Sequence, residues 1–498
     1  MGLWLGACSP SGEGGATPAP GLGGAAGESA GAAGEPSDEP APEPADTTDE
    51  PSEPPGASTD DPPDPVGSLD AGAGLDAGSP ASADAGADAG SGADAGPFIP
   101  DPYVLRLQGL SSRLAALAER TMEFWIEHGP DSTFGGFYAT LDRAGNPVAP
   151  DNKGLVQQAR YLWTLATWYE RRDPSPAIEA LAQRQYEFLS EHFVDAADGA
   201  FVLTVSRDGT RVVDGRKQMY AESFALYALA TYGRVFDVPE AIELALARFE
   251  SIDITRHDPV YGGYDQRNDP GFKSAGAEKD TNTHLHLMEA YTALYEATGD
   301  ALVGERLEEL TELIADTLRQ DADYVHSEFL LDWTPFGAPV VSYGHDLETS
   351  WLLLEAGRVL GRSNDAGLRA SAYLIAETSA TGGFDATRGG FFEVGVPGGA
   401  ATDFDKVWWV QFEALAGLWW DYAIGGVPAR LDQLEATLGW IEASEDSPIG
   451  EWFATTNADG SASGSSNKAD EYKESYHPVR SLVFVQDWID AEAALRAR

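Results

Sequence analysis

The sequence is short of cysteine, of long apolar runs and, in its first 100 residues, of any basic side chain. Cys8 is the one cysteine in 498 residues, so no disulfide can form within the chain. No later run of about 18 consecutive apolar residues occurs, so the sequence predicts no membrane-spanning helix. Residues 1–100 contain 18 Asp and Glu but no Lys, Arg or His. They are rich in Ala, Gly, Pro and Ser and cannot bury enough apolar surface to fold. Residues 9–100 are therefore predicted to be a disordered linker.

Basic residues are scarce in the chain as a whole, with 32 Lys and Arg against 81 Asp and Glu. All of the basic residues lie beyond residue 100, together with nearly all of the aromatics, which predicts one large domain over 101–498. The net charge of −49 repels phosphate backbones and anionic lipids. Nucleic acid is therefore excluded as a partner, and a neutral small molecule is favoured.

The short segment Leu5-Gly6-Ala7-Cys8 resembles the signal of bacterial lipoproteins, in which the cysteine is lipidated and becomes the new N-terminus. An acidic, Pro-rich tether would naturally follow such an anchor. Only seven residues precede Cys8, without a basic region or a full apolar region. We predict that residues 1–8 are the remnant of a signal and that a lipid on Cys8 is the membrane contact of a cell-envelope protein. If the start of the chain is not a signal, the predicted location is cytoplasmic.

The folded part has the residue spacing of helices almost throughout. Apolar residues recur three and four apart, with many Ala and Leu, in the stretches 160–169, 221–232, 284–297 and 349–359. Strand-like alternation is rare and short. The sequence therefore predicts an all-α domain.

Between these helices, a glycine followed by aromatics recurs about every 63 residues. The copies begin at Gly135, Gly199, Gly262, Gly389 and Gly450. The one wide interval spans two periods, and residues 325–329 stand where the missing copy belongs. Six units, each long enough for two helices and a loop, predict an (α/α)6 barrel whose inner helices line a central cleft. The alternative is a helical solenoid with open ends.

Histidine is also scarce, and the eight histidines are the candidates for proton transfer because imidazole titrates near neutral pH. The first candidate stretch is Asn282-Thr283-His284-Leu285-His286. Asn282 and His286 are four residues apart and share a helix face, whereas His284 points elsewhere. We therefore expect one of the two histidines to face the cleft and the other to pack, and the asparagine favours His286 for the cleft.

His345 lies in the second stretch, Ser342-Tyr343-Gly344-His345-Asp346-Leu347-Glu348. The glycine suits a loop that enters a helix, which would place His345 at the helix mouth over the cleft. Glu348 would accept a hydrogen bond from this imidazole and fix its tautomer. The alternative is a His–Glu pair at the surface. His477 is in the third stretch, 471–477, which enters the last helix.

Two further patches suit a bound sugar. Trp409 and Glu413 share a helix face, so an indole would stack on the apolar side of a sugar while the carboxylate binds its hydroxyls. Paired tryptophans in a helix are equally typical of a core. Arg160 is a fixed cation in an otherwise apolar helix, and its alternative is a surface position.

Together these motifs resemble the N-acylglucosamine 2-epimerase superfamily, and cellobiose 2-epimerases most closely, over about residues 121–494. The resemblance implies an (α/α)6 barrel with His345 and His477 as the two acid–base groups and His286 assisting at the oxygen of the intermediate. It also implies sugar-binding positions: Arg160, Tyr220, Asn282, Glu348, Trp351, Trp408, Trp409 and Glu413. Tyr472 replaces a tryptophan that stacks on sugar in cellobiose 2-epimerases. It is a further sugar-binding candidate, and the disaccharide preference stays open.

The predicted chemistry is proton transfer at C2 of a reducing sugar, which is acidic only when the ring is open. Two imidazoles on opposite faces of C2 would invert it through an enediolate, with Arg160 and His286 as donors to the enediolate oxygen. No metal or other cofactor is required. If a base instead moves the proton from C2 to C1, the same site is an aldose–ketose isomerase, of the mannose and fructose type.

Three other functions remain open from the sequence. A glycoside hydrolase on the same barrel would need two carboxylates roughly 5–10 Å apart, for which Glu348 and Glu413 are the candidates. A metal enzyme would use His284 and His286, whose spacing on a helix splays the ligands. A surface sugar-binding protein would have no activity. The predicted partner of the protein is a small reducing sugar, and we expect a monomer.

Overall fold

Helices occupy the stretches in which apolar residues are spaced three and four apart. The computed structural model describes residues 101–269, 276–446 and 450–497. The helices in this part are α1 Pro102–His128, α2 Leu155–Arg171, α3 Pro176–His192, α4 Met219–Phe236, α5 Pro239–Arg256, α6 Thr281–Thr298, α7 Ala301–Glu312, α8 Tyr343–Val359, α9 Ala366–Gly382, α10 Trp408–Gly425, α11 Pro428–Ser444 and α12 Tyr476–Arg496. A π-helical turn, Leu313–Leu318, extends α7. The prediction of an all-α domain is confirmed.

The even-numbered helices form an inner ring. Each packs against the next, and α12 packs against α2, so the ring closes. The odd-numbered helices surround it, with α3 on α2, α5 on α4, α7 on α6, α9 on α8, α11 on α10 and α1 on α12. The four stretches with the strongest helical spacing all belong to inner helices. The domain is an (α/α)6 barrel, as predicted, and the open solenoid is wrong.

Burial distinguishes the two rings. Every residue of α2 from Leu155 to Trp168 is buried, because one side faces the barrel centre and the other packs on outer helices. The outer helix α3 buries a stripe only, at Ile178, Ala182, Gln185, Phe188 and Leu189. This spacing of three and four residues places the buried positions on one face of that helix.

The recurring glycine–aromatic motif lies in each loop between an outer helix and the next inner helix. Gly136 has φ of 65° and Gly263 has φ of 68°, in the left-handed region that favours glycine. A Cβ at Gly136 would also stand 2.9 Å from the Phe188 ring. In the fourth loop, where the motif lacks glycine, Asp323 adopts φ of 53° instead. The six predicted units are therefore six structural repeats.

Short antiparallel strands join neighbouring units. They are β1 Lys153–Gly154, β2 Thr204–Val205, β3 Val212–Asp214, β4 Lys279–Asp280, β5 Glu328–Phe329, β6 Val341–Ser342, β7 Val394–Gly395, β8 Ala401–Asp403, β9 Lys406–Val407, β10 Thr455–Thr456 and β11 Ala462–Ser463. β1, β4, β6 and β9 each precede an inner helix and pair with a strand of the following unit, β2, β5, β7 and β10 respectively. This pairing holds the N-terminal ends of the inner helices at one mouth of the barrel.

Strands β1, β4 and β9 each begin with a buried lysine that forms an ion pair with an aspartate of the preceding glycine turn. Lys153, Lys279 and Lys406 are 0% exposed. Their ammonium groups lie 3.1, 2.9 and 2.8 Å from carboxylates at the start of the turns, those of Asp131, Asp258 and Asp385. Burial lowers the pKa of each lysine, and the paired aspartate opposes that shift. The carboxylate in each turn therefore offsets part of the cost of burying the lysine charge.

Lys406→Met is expected to lower the free energy of unfolding by about 3 kcal/mol, because it strands the buried Asp385 carboxylate without its cation. Urea unfolding of the two proteins measures the difference. Lys217→Met is the matched control, since the Lys217 side chain is 26% exposed and pairs with half-exposed aspartates. Its loss is expected to stay below about 1 kcal/mol. Equal losses in both variants would contradict the role of the buried pair.

Cys8 and the predicted linker 9–100 lie outside the described residues. The lipid anchor, the disorder and the envelope location therefore stay predictions, which mass spectrometry of the mature chain would test. Among the helices that are described, none combines the length and apolar character that crossing a membrane requires.

Candidate active site

The predicted proton-transfer groups meet at the mouth formed by the N-terminal ends of the inner helices. His345 is the third residue of α8 and His477 the second of α12. Both rings contact Trp409, the second residue of α10, at centroid distances of 4.8 and 5.6 Å. His286, the sixth residue of α6, packs against Tyr220 and Phe224 at 5.5 and 4.6 Å.

The His477 imidazole is oriented by a carboxylate at Nδ1, which leaves its Nε2 to act as a base. Its Nδ1 lies 2.7 Å from Oε1 of Glu413, and a carboxylate only accepts, so Nδ1 carries the proton. Its Nε2 is buried and has no hydrogen-bond partner among the described residues. Burial, reinforced by the charge of Arg160, holds the pKa of His477 well below its usual value. The imidazole is therefore neutral near pH 7 and can take up a proton at Nε2.

His286 is anchored in the same way by a different carboxylate. Its Nδ1 lies 2.9 Å from Oε2 of Glu289, three residues further along α6. Burial alone would raise the pKa of Glu289, but Arg480 and His286 lower it to about 2. The carboxylate is therefore ionised and fixes the tautomer and orientation of the ring.

His345 lies at the N-terminal end of α8, as predicted, but the prediction that Glu348 is its hydrogen-bond partner is wrong. Its Nδ1 lies 2.8 Å from Oγ of Ser342, the residue that precedes α8. Glu348 instead accepts a hydrogen bond from Arg480. Spacing along one helix pointed to Glu348, but a cation from α12 takes up that carboxylate. Burial lowers the pKa of His345 to about 4, so this imidazole is also neutral near pH 7.

Arg480 is the centre of the ionic network beneath these rings, and the sequence analysis missed it. Its guanidinium is 0% exposed and donates to three buried carboxylates, those of Glu289, Glu348 and Glu413. Two of these carboxylates anchor His286 and His477. One detectable signal was its position three residues after His477, which places both on one side of α12.

The acid cluster around Arg480 has the spacing of a metal site. Donor atoms of Glu348, Glu413 and His477 lie within 4.8 Å of one another. The Nη2 of Arg480, however, contacts both carboxylates, and Glu413 also accepts from His477. The guanidinium therefore already supplies the positive charge that these two carboxylates would offer a metal, and the residues do not fit a metal ligand set.

His284 packs, as predicted, and has a structural role. Its Nδ1–H donates to the Asp280 carbonyl at 2.6 Å, and its Nε2 accepts from the Tyr264 N–H at 2.8 Å. Gln411 occupies the same fourth position of α10 and makes the same two kinds of contact, with Val407 and Phe391. With both nitrogens in use, His284 is not a metal ligand, and the His284–His286 metal enzyme is not supported.

The predicted cation and polar side chains lie beside His286. Arg160 lies between the rings of Phe224 and Tyr476, 4.2 and 4.9 Å from their centroids. Its Nη2 is 3.4 Å from the hydroxyl of Tyr220, whose ring contacts His286. Asn282, the second residue of α6, is half-buried, and its Oδ1 is buried without a hydrogen-bond partner in the described part of the chain.

The predicted aromatic and acidic positions divide into two layers. Trp408 and Trp409 contact the His477 ring, at 5.5 and 5.6 Å. Trp351 lies deeper, where its Nε1 donates to Oε2 of Glu413 at 3.0 Å. Both oxygens of Glu413 are thus engaged by protein donors, which favours a positioning role over sugar binding. Tyr472 is half-buried and accepts from Arg160 through its carbonyl at 3.3 Å.

The structure thus brings the predicted site residues of the folded domain to one mouth of the barrel, except Trp351, which lies deeper and packs on Phe484 and Trp488. It adds several that the sequence analysis missed: Arg480, Glu289, Ser342, Glu474 and Tyr476. Most of the predicted site residues occupy one of two equivalent positions, which become visible when the starts of the inner helices are aligned. The second position then holds Tyr220, Asn282, Trp409 and His477, and the sixth holds Arg160, His286, Glu348 and Glu413.

Comparison with known proteins gives related sequences and structures over the same part of the chain. The sequence pattern of N-acylglucosamine 2-epimerase (GlcNAc 2-epimerase) matches residues 135–481. A cellobiose 2-epimerase of Bacteroides fragilis is 33% identical over 384 residues, which are 74% of this chain and 96% of that protein. The solved cellobiose 2-epimerase from Spirochaeta thermophila DSM 6192 has a TM-score of 0.73 and 30% identity, covering 79% of this chain and 100% of that one. A solved D-mannose isomerase, at 20% identity and TM-score 0.68, covers 76% of this chain and 98% of its own and shows likeness of fold alone.

Proposed function

Because the chain belongs to the N-acylglucosamine 2-epimerase family, we propose that it interconverts the C2 epimers of a reducing sugar of the glucose or cellobiose type. One observation carries the proposal. His477 is a buried neutral imidazole with Nδ1 fixed on Glu413 and Nε2 without a hydrogen-bond partner in the described chain. Such a group is built to accept and return a proton. His345, which shares the Trp409 ring with it, supplies the second imidazole.

The reaction begins with ring opening, which exposes the C1 aldehyde. One imidazole takes the C2 proton on its Nε2, the C–H electron pair forms the C1–C2 double bond, and the carbonyl pair moves onto O1. The other imidazole, which is neutral near pH 7 and first takes up a proton from water, protonates C2 from the opposite face. The O1 pair then re-forms the aldehyde, and the first imidazolium returns its proton to water. Ring closure then gives the epimer. The low pKa of both imidazoles makes each imidazolium a ready proton donor.

The negative oxygen of the intermediate needs donors that are already in place. Arg160 and His286 lie on the same side of the site, joined through Tyr220. Glu289 accepts from Nδ1 of His286, so Nε2 is the nitrogen left to meet a sugar oxygen, and it donates to that oxygen when both ring nitrogens carry a proton. Fixed donors of this kind stabilise charge that develops during the reaction without reorganising.

An aldose–ketose isomerase is the second candidate, because the enediolate is common to both reactions. Returning the proton to C1 rather than C2 would give the ketose. The glycoside hydrolase is less well supported. Its two candidate carboxylates, Glu348 and Glu413, both bind Nη2 of Arg480 and are not arranged as an acid and a base on either side of a bond.

Incubation with cellobiose, glucose or mannose in D2O, followed by NMR of the C2 proton, tests the proposal. We expect deuterium at C2 and conversion between glucose-type and mannose-type sugars. A ketose product would establish the isomerase instead. Absence of exchange with every sugar, together with release of monosaccharide from cellobiose, would overturn proton transfer in favour of hydrolysis. If neither C2 exchange nor release of monosaccharide occurs, the result would favour a sugar-binding protein without activity. The same incubations without protein are the control.

A further inference from the structure

A buried carboxylate that the proton-transfer mechanism leaves unused lies beside Arg160. Glu474 is 0% exposed and is located two residues before α12, the helix that carries His477. Its Oε2 accepts a hydrogen bond from the Tyr476 N–H at the start of that helix. Its Oε1 lies 3.3 Å from Nη1 of Arg160. The carboxylate thus joins the first turn of α12 to the guanidinium of α2.

When it is ionised, Glu474 places a negative charge beside the Arg160 guanidinium. Two other contacts of this guanidinium, with the Tyr472 carbonyl and the Tyr220 hydroxyl, are to neutral groups. The ion pair has no exposed side-chain surface on either partner. In such surroundings water screens charge poorly, so the ionisation state of Glu474 changes how much positive charge Arg160 presents to its neighbours.

The charge of Arg160 reaches the proton-transfer groups. It contributes to the lowered pKa of His477, after burial itself. In the rest of the site Arg480 contacts three carboxylates, so that cluster has an excess of negative charge. The Arg160–Glu474 pair is therefore a second place in the site where a buried positive and a buried negative charge are paired.

We propose that Glu474 is a specificity-determining positioning residue: by compensating Arg160 it makes the cleft select neutral sugars and reject sugar acids. The inference rests on the proposed function only in taking this cleft as the sugar site. Removing the Glu474 carboxylate takes one buried negative charge away from Arg160, and an aldonate carboxylate at C1 of the ligand would then take its place.

The same geometry makes this selectivity depend on pH. Burial raises the pKa of Glu474 to about 7, against the lowering effects of Arg160, the Tyr476 N–H and Lys473. Protonation below that pH removes the compensation, so sugar acids should bind better as the pH falls. The titratable and charged groups around this carboxylate are Arg160 and Tyr161 from α2, Tyr476 from α12, Lys473 from its own segment and Glu451 from the loop after α11.

Calorimetric binding of D-gluconate and D-glucitol to the full chain tests the proposal. The two ligands share one open-chain skeleton and differ by a carboxylate or a hydroxymethyl group at C1. Neither is a reducing sugar, so neither can be turned over, and the result does not depend on epimerase activity. We define the affinity ratio as the affinity for gluconate divided by that for glucitol. In Glu474→Gln we expect this ratio to rise by about tenfold or more at pH 8. In the unaltered protein the same ratio should rise about fivefold from pH 8 to pH 6.

Controls separate the possible outcomes. Glu474→Asp keeps the charge and should keep the discrimination, while Glu471→Gln removes an exposed charge from the same segment and should change nothing. The pH comparison needs no variant, so a poorly folded Glu474→Gln does not remove the test. Binding of both ligands with a ratio insensitive to pH and to Glu474→Gln would overturn the inference alone. Absence of binding of either ligand to any of these proteins would overturn the sugar site itself.

Discussion

His477→Ala is expected to lower the rate of C2 proton exchange by about 10²–10⁴-fold, the usual contribution of a positioned acid–base group. The variant removes the nitrogen that meets the substrate and leaves Glu413 with Arg480 and Trp351 as partners. Because these two contacts keep the carboxylate compensated, we expect the fold to survive. Exchange of the C2 proton in D2O, followed by NMR, measures the effect. His345→Ala should show a loss of the same order.

His284→Gln is the matched control for both histidine variants. Gln411 shows that a glutamine at this position of an inner helix can make both hydrogen bonds that His284 makes. The control should therefore keep its exchange rate and its unfolding midpoint. Wild-type exchange in His477→Ala would contradict the two-imidazole mechanism. Loss of exchange in His284→Gln with an intact fold would show that His284 has been wrongly assigned to packing.

Arg480→Met is expected to lower the free energy of unfolding by about 3–5 kcal/mol, the cost of leaving buried charges without their partner. Glu289, Glu348 and Glu413 would then face one another without the cation that they share. Urea unfolding at pH 8 measures the loss. The difference from the unaltered protein should shrink at lower pH, because carboxylates that have lost their cation gain higher pKa values and take up protons.

Arg358→Met is the control for this variant, because it removes the same functional group from the C-terminal end of inner helix α8. The Arg358 side chain is 50% exposed and pairs with Glu296 and Glu355. Its removal should cost less than about 1 kcal/mol. If Arg480→Met were as stable as Arg358→Met, the carboxylates beneath the histidines would not depend on their common cation.

Arg480 also gives the site a common support, because it binds the carboxylates behind two different histidines. Glu289 holds His286 and Glu413 holds His477, so the donor to the intermediate and the proton-transfer group rest on one guanidinium. A lysine at this position would carry the charge but could not reach all three carboxylates in a fixed plane. The planar fork of arginine is what allows one residue to orient two rings.

Sequence periodicity predicted the fold, while short motifs and the family resemblance predicted which imidazoles transfer protons. The 63-residue rhythm of glycine and aromatics corresponds to the six loops that precede the inner helices, because each repeat needs the same left-handed turn. Helix geometry placed His284 and His286 on different faces, and Asn282 together with the family resemblance favoured His286. Glu348 was misassigned because the nearest partner along a helix was taken as the partner in space, whereas Ser342 makes that contact.

By itself, the sequence determined the helical class and the six units and favoured the closed barrel and the family of reactions, since each depends on local spacing or on motifs that are contiguous in the chain. The tertiary structure alone decided how the histidines are held. The carboxylates around Arg480 lie 67 to 191 residues from it along the chain and come from α6, α8 and α10. Closure of the inner ring brings these helix ends together, and burial at that mouth turns their charges into a single coupled network. No spacing within one helix carries that information, because the interacting groups belong to different units.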